Sequence, residues 1–235
     1  MKSVAALQLA GWGPFTSPRA ALRRRPELLL FVALLAAFNA PVLTGSCLHS
    51  MVFLPQAVQD GEWWRLFTHP FVHVTWYHLM LDGAAFLALY HSLAEASMVR
   101  RLLYVFAAGA GSLLASWAAA PAISTGSLCG LSGVAHGLMA VSALEMVGPQ
   151  RSGSTECRIG WIGFVLVVGK AALEALSGRM FFTFLHLGLM GDPVAVSHAG
   201  GVIGGLLAIL LVRPSRSAVR LSRIDAYADR AMLGG

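Results

Sequence analysis

Six apolar stretches, each near the ~20 residues a helix needs to cross a bilayer, occupy most of this 235-residue chain: roughly Leu28–Leu43, Phe71–Tyr90, Leu102–Ala120, Leu128–Val147, Ile159–Leu176 and Val194–Val212. Backbone N–H and C=O groups inside lipid must find partners within their own segment, so such stretches fold as helices and pack as a bundle. The composition agrees, with 57% hydrophobic and 12% charged residues against about 25% charged in a soluble domain. The expected fold is an all-α membrane protein. A six-transmembrane-helix domain spans residues 27–213, between an N-terminal segment (1–26) and a basic C-terminal tail (214–235). No room is left for a separate soluble domain.

Basic residues alternate between the loops. Lys2, Arg19, Arg23, Arg24 and Arg25 precede the first stretch, Arg100 and Arg101 follow the second, Arg151 and Arg158 follow the fourth, and Arg213, Arg216, Arg220, Arg223 and Arg230 follow the sixth. The other loops hold only Arg65 and Arg179. By the positive-inside rule both termini are cytoplasmic. The net charge of +6 therefore reports topology and contact with anionic lipid, and it excludes nucleic acid as the expected partner. Arg23-Arg24-Arg25 before an apolar run with no small-residue cleavage site reads as an uncleaved signal anchor. After Pro214 an amphipathic helix and a solvated tail stay open alternatives. Cys47, Cys129 and Cys157 have no zinc-site spacing; Cys47 and Cys129 would face the oxidising side, where one disulfide is conceivable, but three unspaced thiols read first as unpaired small apolar residues.

This topology brings two polar side chains to one depth. Ser132, in Gly130-Leu131-Ser132-Gly133, and His198, in Ser197-His198-Ala199-Gly200-Gly201, both open stretches that descend from the outer face. Polar groups at such depth are costly unless they meet. Serine becomes a nucleophile when a base takes its proton, and histidine suits that task at neutral pH. Glycines at four-residue spacing, Gly133 and Gly137 in one stretch and Gly200, Gly201, Gly204 and Gly205 in the other, let two helix backbones approach. The competing account has Ser132 bonded to a carbonyl of its own helix and the glycines serving packing alone. A soluble-hydrolase elbow Gly-x-Ser-x-Gly does not fit, because Val134 holds the last glycine position.

From Trp63 to Leu211 the chain resembles the rhomboid intramembrane serine proteases. The likeness rests on Trp64-Arg65-Leu66-Phe67-Thr68-His69, on His73 and His78, on Gly130-Leu131-Ser132-Gly133, and on His198 with its glycine strip. Gly130-Leu131-Ser132-Gly133-Val134-Ala135-His136-Gly137, with Lys170 and Glu174, is most similar to the rhombosortase branch. The resemblance implies a rhomboid-like six-helix core with a serine-histidine dyad, no acidic third member and no cofactor. Ser132 is then the nucleophile and His198 the general base. The Ser132 backbone N–H and the His78 side chain meet the oxyanion, while Gly130 allows the preceding loop to turn. Where rhomboids typically carry His-x-x-x-Asn, this chain reads His78-Leu79-Met80-Leu81-Asp82. Ionised, Asp82 would repel an oxyanion; protonated, it would donate to one; it could instead orient His78.

Other polar residues keep two readings each. His69, His73 and His78 make a metal site imaginable, but without an acidic or thiolate partner at helpful spacing the expectation is no metal. His136, one turn below Ser132, could be a ligand, a base or a packed polar residue. Lys170 and Glu174, one turn apart, either neutralise each other or help recognise substrate. The expected partners are the lipid bilayer and single-span membrane proteins, with C-terminal Gly-Gly sorting tails if the branch likeness holds. The expected setting is a bacterial inner membrane with the site facing the periplasm. A catalytically inactive rhomboid-like client-binding protein is the alternative. A histidine-lined transporter fits less well, because the polar groups gather at one end and trace no route across.

Overall fold

The computed structural model describes residues 25–119, 127–147, 153–182, 184, 187 and 194–212. The basic residues before Arg25 and after Val212, the helix expected after Pro214, Arg151 and residues 120–126 lie outside the described residues.

Six long helices occupy the six apolar stretches: α1 Pro26–Asn39, α2 Trp76–Ser92, α3 Met98–Ala119, α4 Ser132–Met146, α5 Thr155–Ser177 and α6 Ala195–Leu211. Their ends follow local chemistry. Pro26 starts α1, where its missing N–H costs nothing. The Thr75 hydroxyl accepts from His78 N and the Ser154 hydroxyl from Cys157 N, capping α2 and α5. Gly178, at φ 65°, closes α5 in the left-handed region. Among the described residues, three segments are long and apolar enough to cross a membrane: Pro26–Thr44, Met98–Ala118 and Thr155–Ser177. Helix α4, with 15 residues, is only about 22 Å long. It starts four residues later than its apolar stretch, because Leu128 exchanges both backbone hydrogen bonds with Phe53 in an antiparallel bridge, at 3.1 Å each.

Helices α3, α4 and α6 form the centre, and the paired glycines of α6 explain how. A Cβ on Gly200 would run into the Gly111 carbonyl of α3 and one on Gly204 into Ala107, whereas one on Gly201 would run into the Gly133 carbonyl of α4 and one on Gly205 would meet Gly137. Two stripes, offset by one residue, thus serve two neighbours. The polarity is arranged with polar groups inside. Asp82, Glu174 and His198 are buried, while Val165, Leu166, Ile203 and Leu210 are exposed, as a lipid-facing surface requires.

Each end of the bundle has its own polar lock. At one end, Glu27 of α1 accepts from Tyr90 Oη of α2 at 3.0 Å and from Arg101 Nε of α3 at 2.9 Å. At the other, Arg65 is buried and donates to Glu62, His49 O and Val52 O, so it organises the loop between α1 and α2, with Trp63 and Trp64 left exposed beside it.

Candidate active site

The end of α1, the starts of α2, α4 and α6, and the end of α5 meet at one end of the bundle, as alternating helix directions dictate. Ser132 is the first residue of α4, so the N–H groups around it have no acceptor in their own helix and carry the positive end of its dipole. Gly130, at φ 101°, turns the chain into α4 and donates its N–H to His69 O at 3.2 Å. A Cβ there would also sit 2.9 Å from His78 Nε2 and 3.2 Å from Asp82 Oδ2. Glycine is required on both counts.

Ser132 and His198 flank a single helix crossing. A Cβ on Gly133 would lie 2.9 Å from Ser197 O, and Gly201, one turn further along α6, abuts the Gly133 carbonyl. His136 joins the two sides. Its Nδ1 donates to Ser132 O at 2.8 Å, and its ring stacks on that of His198 with centroids 3.8 Å apart and planes 12° from parallel.

Helix α5 completes the surroundings of His198. Glu174 Oε2 lies 2.7 Å from His198 Nδ1. A carboxylate only accepts, so Nδ1 carries the proton and Nε2 keeps a lone pair. The same carboxylate accepts from Lys170 Nζ at 2.8 Å and from the Phe181 backbone N–H at 2.8 Å. Lys170 Nζ also donates to His136 Nε2 at 3.0 Å. The resemblance implied a dyad without an acidic member; Glu174 supplies a buried carboxylate at His198. The sequence shows the spacing of Glu174 from Lys170, and nothing local there shows which neighbouring helix it faces.

A second polar group adjoins the first. Asp82 Oδ2 is 3.1 Å from His78 Nε2 and 3.8 Å from His73 Nε2. His73 is held by Asn39 Oδ1, which accepts from its backbone N–H at 2.8 Å and lies 3.2 Å from its Nδ1. Asn39 escaped the sequence reading, although an amide at the end of an apolar stretch is itself a signal. His69 stands apart from this group, with its Nδ1 donating to Arg65 O at 3.0 Å. Burial lowers the His69 pKa to about 4. The acidic partner that spacing did not offer to His73 and His78 is present in space as Asp82. Among the described residues two trios therefore have ligand atoms close enough to share a metal ion, His73–His78–Asp82 and His136–Glu174–His198. The three cysteines are free thiols.

Residues 60–215 match the family model of the Rhomboid domain, over more than half of the chain. No curated protein and no solved structure matches.

Proposed function

The chain belongs to the rhomboid family, and on that premise we propose that it is an intramembrane serine endopeptidase in which Ser132 is the nucleophile, His198 the base, and Glu174 the carboxylate that orients His198. The observation that carries the reading is the 2.7 Å contact from Glu174 to His198 Nδ1. It holds the ring proton away from Nε2 and leaves that nitrogen basic.

Ser132 Oγ attacks the scissile carbonyl carbon while its proton passes to His198 Nε2. The negative oxygen of the tetrahedral intermediate is met by the Ser132 backbone N–H and the His78 ring. Collapse breaks the C–N bond, and the leaving amine takes the proton from His198. Water then repeats the sequence on the acyl-enzyme ester, restoring Ser132. Glu174 stabilises the imidazolium in both halves, and Lys170 Nζ donates to the same carboxylate.

The substrates are single-span membrane proteins. An extended backbone is needed at the serine, so glycine or other small residues near the scissile bond favour cleavage. The likeness of Gly130–Gly137, Lys170 and Glu174 to rhombosortases supports a narrower class: secreted proteins with a C-terminal tail made of a Gly-Gly motif, one apolar span and a basic end. The basic asymmetry of the loops supports a bacterial inner membrane with the site facing the periplasm.

The test is cleavage of a Gly-rich single-span substrate by the purified chain in liposomes. Cleavage by the parent that is lost in Ser132→Ala and in His198→Ala supports the enzyme, and equal cleavage by Ser132→Ala overturns it. If well-folded parent cuts none of several such substrates, the client-binding alternative takes over. The proximity of Asp82 to His78 is the observation that favours it.

A further inference from the structure

Three ligand atoms converge beside the loop that leads to Ser132. His73 Nε2, His78 Nε2 and Asp82 Oδ2 lie within 4.8 Å of one another. Two ligands of a tetrahedral zinc ion, each about 2.1 Å from the metal, stand about 3.4 Å apart. The Asp82 separations of 3.1 Å to His78 and 3.8 Å to His73 straddle that value. All three side chains are more than nine-tenths buried.

His73 is presented as a ligand. The Asn39 amide donates its own hydrogens to Leu35 O at 2.8 Å and Phe71 O at 2.7 Å, so its Oδ1 is the atom that faces His73. An amide oxygen only accepts, which puts the ring proton on Nδ1 and a lone pair on Nε2. That Nε2 is buried and has no hydrogen-bond partner among the described residues. A metal-bound imidazole is ordinarily held this way, with one nitrogen on an oxygen and the other on the ion. The lone pair points toward a carboxylate, another acceptor, and a cation between them satisfies both.

Charge separates this trio from the other. Glu174 and His136 already share a cation, the Lys170 ammonium, at 2.8 and 3.0 Å. Among the described residues no lysine or arginine is paired with Asp82. At this position rhomboids typically carry asparagine, a weak neutral ligand, and the aspartate offers the anionic oxygen that zinc accepts alongside imidazole.

We propose that His73, His78 and Asp82 form a binding site for a divalent ion of the zinc class, with Asn39 fixing His73 and one position left for water. The ion takes the place of the proton on His78 Nε2, which faces Asp82, the ring proton moving to the unpartnered Nδ1, and it so withdraws that ring from the oxyanion. This consequence, an ion that lowers cleavage, rests on the protease reading above; the binding itself does not.

The experiment uses the full chain, tag removed, carrying Ser132→Ala so that catalysis plays no part. The protein is stripped with chelator in detergent and titrated with Zn2+ by calorimetry and with Co2+ by visible absorption. One equivalent should bind, with the intense visible bands of tetrahedral Co2+. Asn39→Ala should weaken binding by about 10–100-fold, the range for loss of a group that orients a ligand. Asp82→Asn, which keeps the side-chain shape, should weaken it at least as much, and His136→Asn should leave it unchanged. Absence of stoichiometric binding overturns the site, as does binding in Asp82→Asn within tenfold of its parent or binding lost in His136→Asn. Thermal unfolding of each variant ensures that affinities are compared between folded proteins. Stoichiometric binding with no effect of Zn2+ on cleavage by the Ser132-bearing chain would retain the site and overturn only its inhibitory role.

Discussion

Glu174 Oε2 stands 2.7 Å from His198 Nδ1, and the other oxygen of the same carboxylate accepts the backbone N–H of Phe181 at 2.8 Å. One buried side chain thus ties the imidazole of α6 to the chain that leaves α5. Its remaining valence goes to Lys170. No lone pair direction is spare to let the carboxylate turn away, so the position of His198 and the path of residues 178–182 are set together.

Glu174→Gln should therefore act on turnover. An amide can place its NH2 toward His198, which moves the ring proton to Nε2 and, on the protease reading, removes the base. Loss of the correct tautomer in a serine-histidine-carboxylate system costs on the order of 10⁴ in kcat. A fall of 10²–10⁴ in kcat with KM changed by less than about threefold is expected, and Glu174→Asp should recover part of it. Steady-state kinetics on a reconstituted single-span substrate reads this out. A kcat within tenfold of the parent would reduce Glu174 to a packing role.

Gly201→Ala tests the crossing of α4 and α6. The new methyl would run into the Gly133 carbonyl, which is backbone and cannot rotate aside. Overpacking of this kind costs about 1–3 kcal/mol, and a shift of this crossing would, on the protease reading, also move Ser132 relative to His198. Unfolding in detergent should occur at lower denaturant or temperature, and cleavage should fall by more than the lost folded fraction explains. Gly169→Ala, with open space around its Cβ, is the control and should change neither.

The helices were legible because hydropathy is a local property, and all six apolar stretches coincide with long helices. The start of α4 was not, because Leu128 is drawn into an extended bridge by Phe53, a partner distant in sequence. The rotation of one helix against another is likewise absent from local pattern. Spacing could pair Lys170 with Glu174 one turn away. It could not show that His136 stacks on His198, that Asn39 of α1 holds His73, or that Asp82 reaches two histidines at once. Glycine doublets were the exception, since Gly200-Gly201 and Gly204-Gly205 announce close approach wherever they lie.

Acidification should weaken the fold through His69. Burial lowers its pKa from the usual 6.5 to about 4, so the folded state keeps it neutral while the unfolded chain takes up a proton near pH 6.5. Stability from this group is complete above pH 6.5 and is lost as pH falls toward 4. At pH 5 the loss is about 2 kcal/mol. His69→Asn, whose amide can still donate to Arg65 O, should be less stable than the parent at pH 7.5 yet lose less between pH 7.5 and 5. Thermal unfolding at the two pH values decides it: parallel losses in both proteins would mean that His69 does not carry the effect.

Gly130→Ala joins backbone and chemistry in one substitution. Its φ of 101° lies where a side chain is strained, and the added methyl would meet the His78 ring at 2.9–3.0 Å and Asp82 at 3.2 Å. Both contacts are with groups held by their own hydrogen bonds, so the loop should yield first, carrying the Ser132 N–H away from the position of the oxyanion. Losing one oxyanion donor costs about 10²–10³ in kcat, and that is the fall expected here. The stability change should stay near 1–2 kcal/mol, the cost of one residue forced into left-handed backbone. Cleavage rate and unfolding midpoint measured on the same preparation separate the two effects. If activity falls only in step with the folded fraction, Gly130 shapes the loop without aligning the site.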